Sequence, residues 1–251
     1  MSDWRLSGTL PLMMNTLYIV PTPIGNLEDM TVRAVRVLKG CVLIAAEDTR
    51  HSRKLLDHYA ITTPTTSFHE FSPEGKITTL LAALERGDVA LISDAGTPGI
   101  ADPGYELIGA ALQQGVRVVV LPGANAAFTA LLASGFDPSA WLFLGFPPRR
   151  EGKLRAFFAA LAEYSEVLVF YESPNRVVET LRAARAVLGD RPVCVALEVT
   201  KFYEEFQRGT LSAVIDHYTA TPPRGEVTVI LQGASTRLPP RPAPCLQEKG
   251  F

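Results

Sequence analysis

Residues Val89 to Gly104 read V-A-L-I-S-D-A-G-T-P-G-I-A-D-P-G, and no other stretch narrows the choice of fold so far. The opening apolar run suits a buried strand. The second part of the stretch packs three glycines, two prolines and two aspartates into one loop. Gly96, Gly99 and Gly104 open backbone angles closed to other residues, while Pro98 and Pro103 fix φ and remove N–H donors, so the loop is stiff and its main chain approachable. Pro103 suits the first turn of a helix that Tyr105, Leu107, Ile108, Ala111 and Leu112 continue. A rigid loop between the carboxyl end of a strand and a helix is where open α/β sheets bind small molecules. The alternative, an ordinary tight connection, needs only a few residues.

The same unit recurs along the chain. Leu17 to Val20 is a short apolar strand running into P-T-P-I-G-N, Pro21 to Asn26, and a helix over about Thr31 to Lys39. Cys41 to Ala46 is a second strand, with Glu47, Asp48, Thr49 and Arg50 at its end and a helix after it. Ser67, His69 and Glu70 lie in a loop before an amphipathic helix on Ile77, Leu80, Leu81 and Leu84. Val116 to Leu121 is the fourth predicted strand, ending in P-G-A-N-A-A, Pro122 to Ala127, and a helix of small residues to Ser134. Small side chains at a helix entry let a ligand reach the helix N–H groups. Four strands thus deliver loops to one edge of a mostly parallel sheet, an N-terminal α/β domain over residues 16–135.

Gly135 to Ala140 reads as a linker into a C-terminal α/β domain over residues 141–233. Its strands start at Trp141 and run over Val167 to Tyr171, Val193 to Val199 and Glu226 to Leu231. Helices near Leu154 to Leu161, Arg176 to Leu188 and Leu211 to Tyr218 separate them, and a mixed sheet is expected. Residues 1–15 read as an extension, too short and too interrupted for a signal peptide or membrane span; residues 234–251, with four prolines, read as a flexible tail. Cytoplasmic placement and no membrane partner are the corresponding expectations.

A formal net charge of −2 argues against a general polyanion binder but leaves room for a local basic patch. Cys41, Cys194 and Cys245 are isolated, which points to a reducing compartment, and the four histidines have no metal-ligand spacing, so no metal is expected. No G-x-G-x-x-G follows the first strand, no P-loop exists, and no G-x-S-x-G elbow supports a hydrolase. Glu47 or Asp48 stands at the distance of a ribose-binding acid, or serves substrate, or simply pairs with Arg50. Arg149, Arg150, Lys153 and Arg155, with Lys201 and Arg208 as further members, form either a nucleic-acid contact or a solvated face.

Taken together, V-P-T-P-I-G-N (Val20 to Asn26), A-E-D-T-R (Ala46 to Arg50), S-F-H-E (Ser67 to Glu70), S-D-A-G-T-P-G-I-A-D-P-G (Ser93 to Gly104), P-G-A-N-A (Pro122 to Ala126), F-Y-E-S-P-N-R (Phe170 to Arg176) and R-G-E-V (Arg224 to Val227) resemble the tetrapyrrole methylase superfamily. Within it the chain is similar to the bacterial enzymes that methylate a cytidine ribose 2′-hydroxyl in 16S rRNA. The resemblance covers nearly all of residues 16–233. It implies a homodimer of two-domain subunits with S-adenosylmethionine in the cleft between the domains, acting on 16S rRNA or the small ribosomal subunit and not on DNA. Carried over by position, the cofactor set is Pro21, Asp94, Ala95, Gly96, Thr97, Ile100, Ala101, Gly123, Ala124, Asn125 and Ala126, with Tyr171 and Gly225 from the second domain. The corrin-making members have G-D-P in the central loop where this chain has Ser93-Asp94-Ala95.

A ribose hydroxyl is a weak nucleophile at neutral pH, so some group must take or orient its proton. Glu47, Asp48, His69 and Glu70 are the candidates, with Arg50 holding phosphate or the carboxylates. The resemblance also gives Arg149, Arg150, Lys153 and Lys201 weight as RNA contacts, since phosphate binding needs local positive potential. Two other functions are compatible with the residues: methylation of a small tetrapyrrole, which would not need the basic cluster, and a non-catalytic rRNA-binding assembly factor that retains a cofactor pocket.

Overall fold

The computed structural model describes residues 15–69, 72–73, 75–102 and 104–234. Expectations for residues 1–14, for the tail from 235 onward, for Cys245, for Glu70 and for Pro103 lie outside the described residues. The contacts divide the chain into two units, Met1–Asn125 and Ala126–Phe251.

The first unit follows the repeated strand, loop and helix pattern. In chain order it contains β1 (Thr16–Ile19), α1 (Val32–Gly40), β2 (Leu43–Ala46), α2 (Thr49–His58), β3 (Thr65–Ser67), α3 (Gly75–Ala83), β4 (Val89–Ile92), α4 (Tyr105–Gln113) and β5 (Arg117–Val120). The five strands form one sheet in the order β3-β2-β4-β1-β5, every pair parallel. β4 sits at the centre with all its side chains buried, which is why V-A-L-I lacks the alternation of a half-exposed strand. Helices cover both faces. On one, Ala34 and Leu38 of α1 and Leu56 of α2 meet Val20, Ile44, Ala46, Ala90 and Ile92; on the other, Leu80 and Leu81 of α3 and Leu107 and Ala111 of α4 meet Leu17, Ile19, Ala45, Val89 and Leu91. Thr31 caps α1 by accepting the Ala34 N–H at 3.0 Å.

After β1 the chain leaves toward one face, and after the neighbouring β4 it leaves toward the other. The loops after these two strands therefore emerge side by side in the middle of the sheet edge. At the opposite end, Asp88 fastens the strand starts: its carboxylate accepts the Thr16 N–H at 2.6 Å and its carbonyl the Val42 N–H at 2.8 Å. Asn15 adds a bond to the Leu84 carbonyl at 2.8 Å.

The second unit contains α5 (Ala126–Ser134), β6 (Trp141–Phe143), α6 (Glu151–Ala160), β7 (Val167–Glu172), α7 (Val177–Leu188), β8 (Pro192–Leu197), β9 (Glu205–Thr210), α8 (Leu211–Ala220) and β10 (Val227–Leu231). Its sheet, in the order β6-β7-β10-β8-β9, is mixed as expected: β6 pairs with β7 in parallel and the other neighbours are antiparallel. The core gathers Phe158, Phe170, Leu181, Val195, Leu211, Val229 and the ring of Tyr218.

Three features depart from the sequence reading. α5 packs on β7, β8, β9 and β10, so the division falls before this helix and not at residues 135–140. The buried face of α5 is Ala127, Ala130, Leu131 and Ser134, small enough to lie close on a sheet; Gly135, at φ +81°, ends the helix without separating the units. The other two are edge strands. β3 is the polar T-T-S, making the first sheet five-stranded where four strands were expected, and β9 is E-F-Q-R-G-T. No described helix is long and apolar enough to cross a membrane. Among the described residues Cys41 and Cys194 are free, buried thiols, and burial pushes Cys41 up to about 12.

Candidate active site

Because every strand of the first sheet points the same way, the loops after β1, β2, β3, β4 and β5 collect at one edge, and most of the predicted site residues stand there. The loop after β4 is held from both sides. Thr22 and Gly96 exchange main-chain bonds of 2.9 and 3.1 Å, a two-residue bridge outside the named strands. The Thr22 hydroxyl, itself buried, donates to the Ser93 carbonyl at 3.1 Å. Thr97 reaches the loop after β5 by donating to the Ala124 carbonyl at 3.3 Å.

The loop after β2 is joined to the same frame through carboxylates. Glu47 Oε2 accepts the Asp94 N–H at 3.2 Å, and Asp94 Oδ1 accepts the Asp48 N–H at 3.1 Å. Asp48 caps α2 by accepting the Arg50 N–H at 2.8 Å, and the Arg50 guanidinium returns to it with contacts of 3.4 and 3.2 Å. The side-chain hydrogen bond from Arg50 is the main reason the Asp48 carboxyl lies below its ordinary value. Asp48 and Arg50 thus pair with each other at the start of α2. The His69 side chain is exposed, and its main chain closes a turn with Ser72.

The loop after β5 runs against the loop after β1. A Cβ placed on Gly123 would stand 2.5 Å from Cβ of Pro21, so only glycine allows this approach. The Gly123 and Ala124 N–H groups make no bond with the described residues. Ala126 opens α5, whose first turn carries no acidic residue. Ile100 and Ala101 are exposed, and Ala101 holds a left-handed φ of +63°, a conformation that non-glycine residues adopt only under local constraint. Main-chain donors at Gly123 and Ala124 beside a close-packed proline turn suit a small ligand bearing an acceptor group such as a carboxylate.

Sequence reasoning passed over Asp102. Burial raises its carboxyl to about 6, with Glu47 the next contributor and Asp94 adding to it, while a hydrogen bond with Ser93 pulls the other way. Asp102 lies in the singled-out loop, but only folding brings Glu47 and Asp94 near it. Among the described residues no group of three or more His, Cys, Asp or Glu could hold a metal ion.

The remaining predicted residues belong to the second unit. Gly225 has φ +82°, and a Cβ there would stand 2.2 Å from Glu198 Oε1, which accepts the Glu226 N–H at 2.7 Å. Lys201 lies between Glu198 at 2.9 Å and Glu226 at 3.2 Å, so its charge is already matched within this loop. Tyr171 packs edge-on against Phe143 and at a tilt against Phe146, with ring centroids 5.0 and 5.6 Å away. Arg149 and Lys153 are exposed beside the start of α6, and exposed Arg150 caps that helix through its backbone.

Residues 16–215 match the tetrapyrrole (corrin/porphyrin) methylases. The chain belongs to the tetrapyrrole methylase family. Within this family of methyltransferases it is 48% identical over 220 residues to the ribosomal RNA small subunit methyltransferase I of Streptococcus pyogenes serotype M1, a match spanning 87% of this chain and 77% of the relative. The Bacillus subtilis (strain 168) protein of the same name is 47% identical over 223 residues, 88% and 76% of the two chains. Among solved structures, a cobalt precorrin-4 methyltransferase of cobalamin biosynthesis superposes with TM-score 0.65 at 17% identity, covering 86% of this chain and 94% of the other. A uroporphyrin-III C-methyltransferase from Thermus thermophilus gives 0.60 at 20% identity, with the same coverage. At those identities the two structures establish the shared fold.

Proposed function

We propose that this family member transfers a methyl group from S-adenosylmethionine to the 2′-hydroxyl of a cytidine ribose in 16S rRNA. The observation that carries the reading is identity of 48% and 47%, over almost nine-tenths of the chain, to two bacterial proteins named as small-subunit rRNA methyltransferases. The cofactor supplies, when bound, an electrophilic methyl on a sulfonium, leaving the protein to align the acceptor and exclude water. Pro21, Asp94 to Thr97, Ile100, Ala101 and Gly123 to Ala126, with Tyr171 and Gly225, are the residues that would hold it.

The acceptor hydroxyl needs a partner for its proton. Glu47 Oε2 is engaged by the Asp94 N–H, and Oε1, with no hydrogen bond to the described residues, is open to accept that proton; His69 and Glu70 are the other proposed acceptors. Asp48 and Arg50 act one step back, as the cap that fixes the direction of α2. Arg149, Arg150 and Lys153 supply local positive potential for phosphates on a chain whose net charge is −2. The protein works as a cytoplasmic homodimer on 16S rRNA or the small subunit, and light scattering at working concentration tests the dimer.

Incubation with radiolabelled S-adenosylmethionine and either small-subunit RNA or a porphyrinogen tests the function. Label in the RNA supports it. Label in the pigment makes the chain a tetrapyrrole methyltransferase, and RNA binding with no label transferred makes it an assembly factor.

A further inference from the structure

A cavity of about 410 Å³ opens within the second unit, lined by Phe146, Pro147, Arg149, Glu172, Ser173, Asn175 and Arg176. Its size falls in the range of small-molecule sites, about 300–1,000 Å³. Glu172 is its buried anchor. This carboxylate accepts the Ser173 N–H at 2.8 Å and the Thr180 hydroxyl at 2.6 Å, and pairs with the Arg176 guanidinium at 3.2 Å. The second terminal nitrogen of Arg176 donates to the Pro148 carbonyl at 3.2 Å. The start of α7 and the loop after β6 are thereby tied into one wall, and the Glu172 charge is neutralised where it stands. Arg149, exposed and without an ion pair among the described residues, leaves the cavity one positive charge in excess. Phe146 is 60% exposed despite its size, its ring braced on Tyr171. The Asn175 side chain has no partner among the described residues and adds an amide with both donor and acceptor.

An open aromatic face, a spare guanidinium and an unpaired amide around a cavity of this volume match the three parts of one nucleotide: base plane, phosphate and base edge. We propose that this cavity takes a single unstacked nucleotide of the RNA substrate, its base on Phe146 and its phosphate at Arg149, with Glu172 and Arg176 as positioning residues for the wall. The inference rests on the RNA reading above and adds a subsite to it. S-adenosylmethionine carries no phosphate to answer Arg149.

The test compares wild type, Phe146→Ala and Arg149→Ala. A labelled single-stranded oligoribonucleotide with the sequence of the small-subunit decoding region is titrated at several salt concentrations, and cofactor binding is followed by calorimetry. Phe146→Ala is expected to bind RNA about tenfold more weakly with an unchanged salt slope, because stacking is not an ionic contact. Arg149→Ala is expected to flatten the slope of log affinity against log salt by about 0.7, the loss of one single-strand phosphate contact. Cofactor affinity stays as in wild type for both. Wild-type RNA affinity in both variants, where wild type methylates RNA, overturns the subsite and leaves the proposed function standing. A Phe146→Ala protein with weakened cofactor binding also overturns it, by giving the cavity to the methyl donor. Wild type that neither binds nor methylates RNA removes both readings together.

Discussion

Glu47 and Asp94 hold each other's loops: the Glu47 carboxylate takes the main-chain N–H of Asp94, and the Asp94 carboxylate takes the N–H of Asp48 beside Glu47. Two loops from neighbouring strands are thus fixed by two reciprocal side-chain bonds without any contact between opposite charges. Glu47→Ala and Asp94→Ala should each lower stability by about 1.5–3 kcal/mol, the range for hydrogen bonds to charged groups. The double variant should lose less than the sum, since both bonds serve one junction. Urea unfolding of the three proteins checks this, and strict additivity would show that the loops are independent.

Asp102 makes stability depend on pH. Its carboxyl rises from 3.8 to about 6 on folding, so the folded chain binds the proton more tightly than the unfolded chain. The resulting stabilisation is fully present below about pH 3.8 and is lost as pH rises through about 6. Asp102→Asn, which cannot ionise, should therefore gain on wild type between about pH 4 and 7. Because the group is partly exposed and screened, a gain of about 1 kcal/mol is expected at the top of that window. Urea midpoints of both proteins across the range read it directly. A constant difference would separate Asp102 from the effect.

At Gly123 the prediction concerns shape. The Cβ of Gly123→Ala would stand 2.5 Å from one carbon of Pro21 and 2.9 Å from the next, and neither the proline ring nor the backbone can yield cheaply. Overpacking of this kind costs about 1–3 kcal/mol, and here it displaces a loop assigned to the cofactor. A lower melting temperature together with a weaker heat of S-adenosylmethionine binding is expected. An unchanged pair of values would show that the loop shifts freely.

Removing the Lys201 charge should leave RNA binding almost as it is, because Glu198 and Glu226 already hold that ammonium group. Arg149→Ala combined with Arg150→Ala should instead weaken RNA binding and flatten its salt dependence, with cofactor affinity unchanged. Filter binding across a salt series distinguishes the two cases; equal losses would mean that the Lys201 ion pairs open when RNA arrives.

Legibility in the chain tracked the strength of local signals. β4, apolar throughout and leading into its glycine and proline loop, was legible because a buried parallel strand and a stiff, tightly turning loop leave their marks in adjacent residues. β3 and β9 were not, since an edge strand with solvent on its open side keeps polar residues such as Thr65, Gln207 and Arg208 and shows no apolar rhythm. The motifs A-E-D-T-R and S-D-A-G-T-P-G were read to one edge of the sheet, where their loops do meet, but which carboxylate caps, which ties a loop and which is left with a raised pKa depends on contacts across some 46 positions of chain, such as that from Asp94 to Asp48. Asp102 and the pairing of Lys201 were invisible for the same reason.

The strands of the first unit have one end fastened by Asp88 to the N–H groups of Thr16 and Val42, and one end carrying the loops proposed to hold the methyl donor. Robustness and chemistry are thereby sorted along a single axis. Changes at the Asp88 end should surface as lost protein yield, and changes at the other as altered turnover. A chassis divided in this manner can accept new loops, and with them new acceptors for the same methyl donor, while its foundation is left alone.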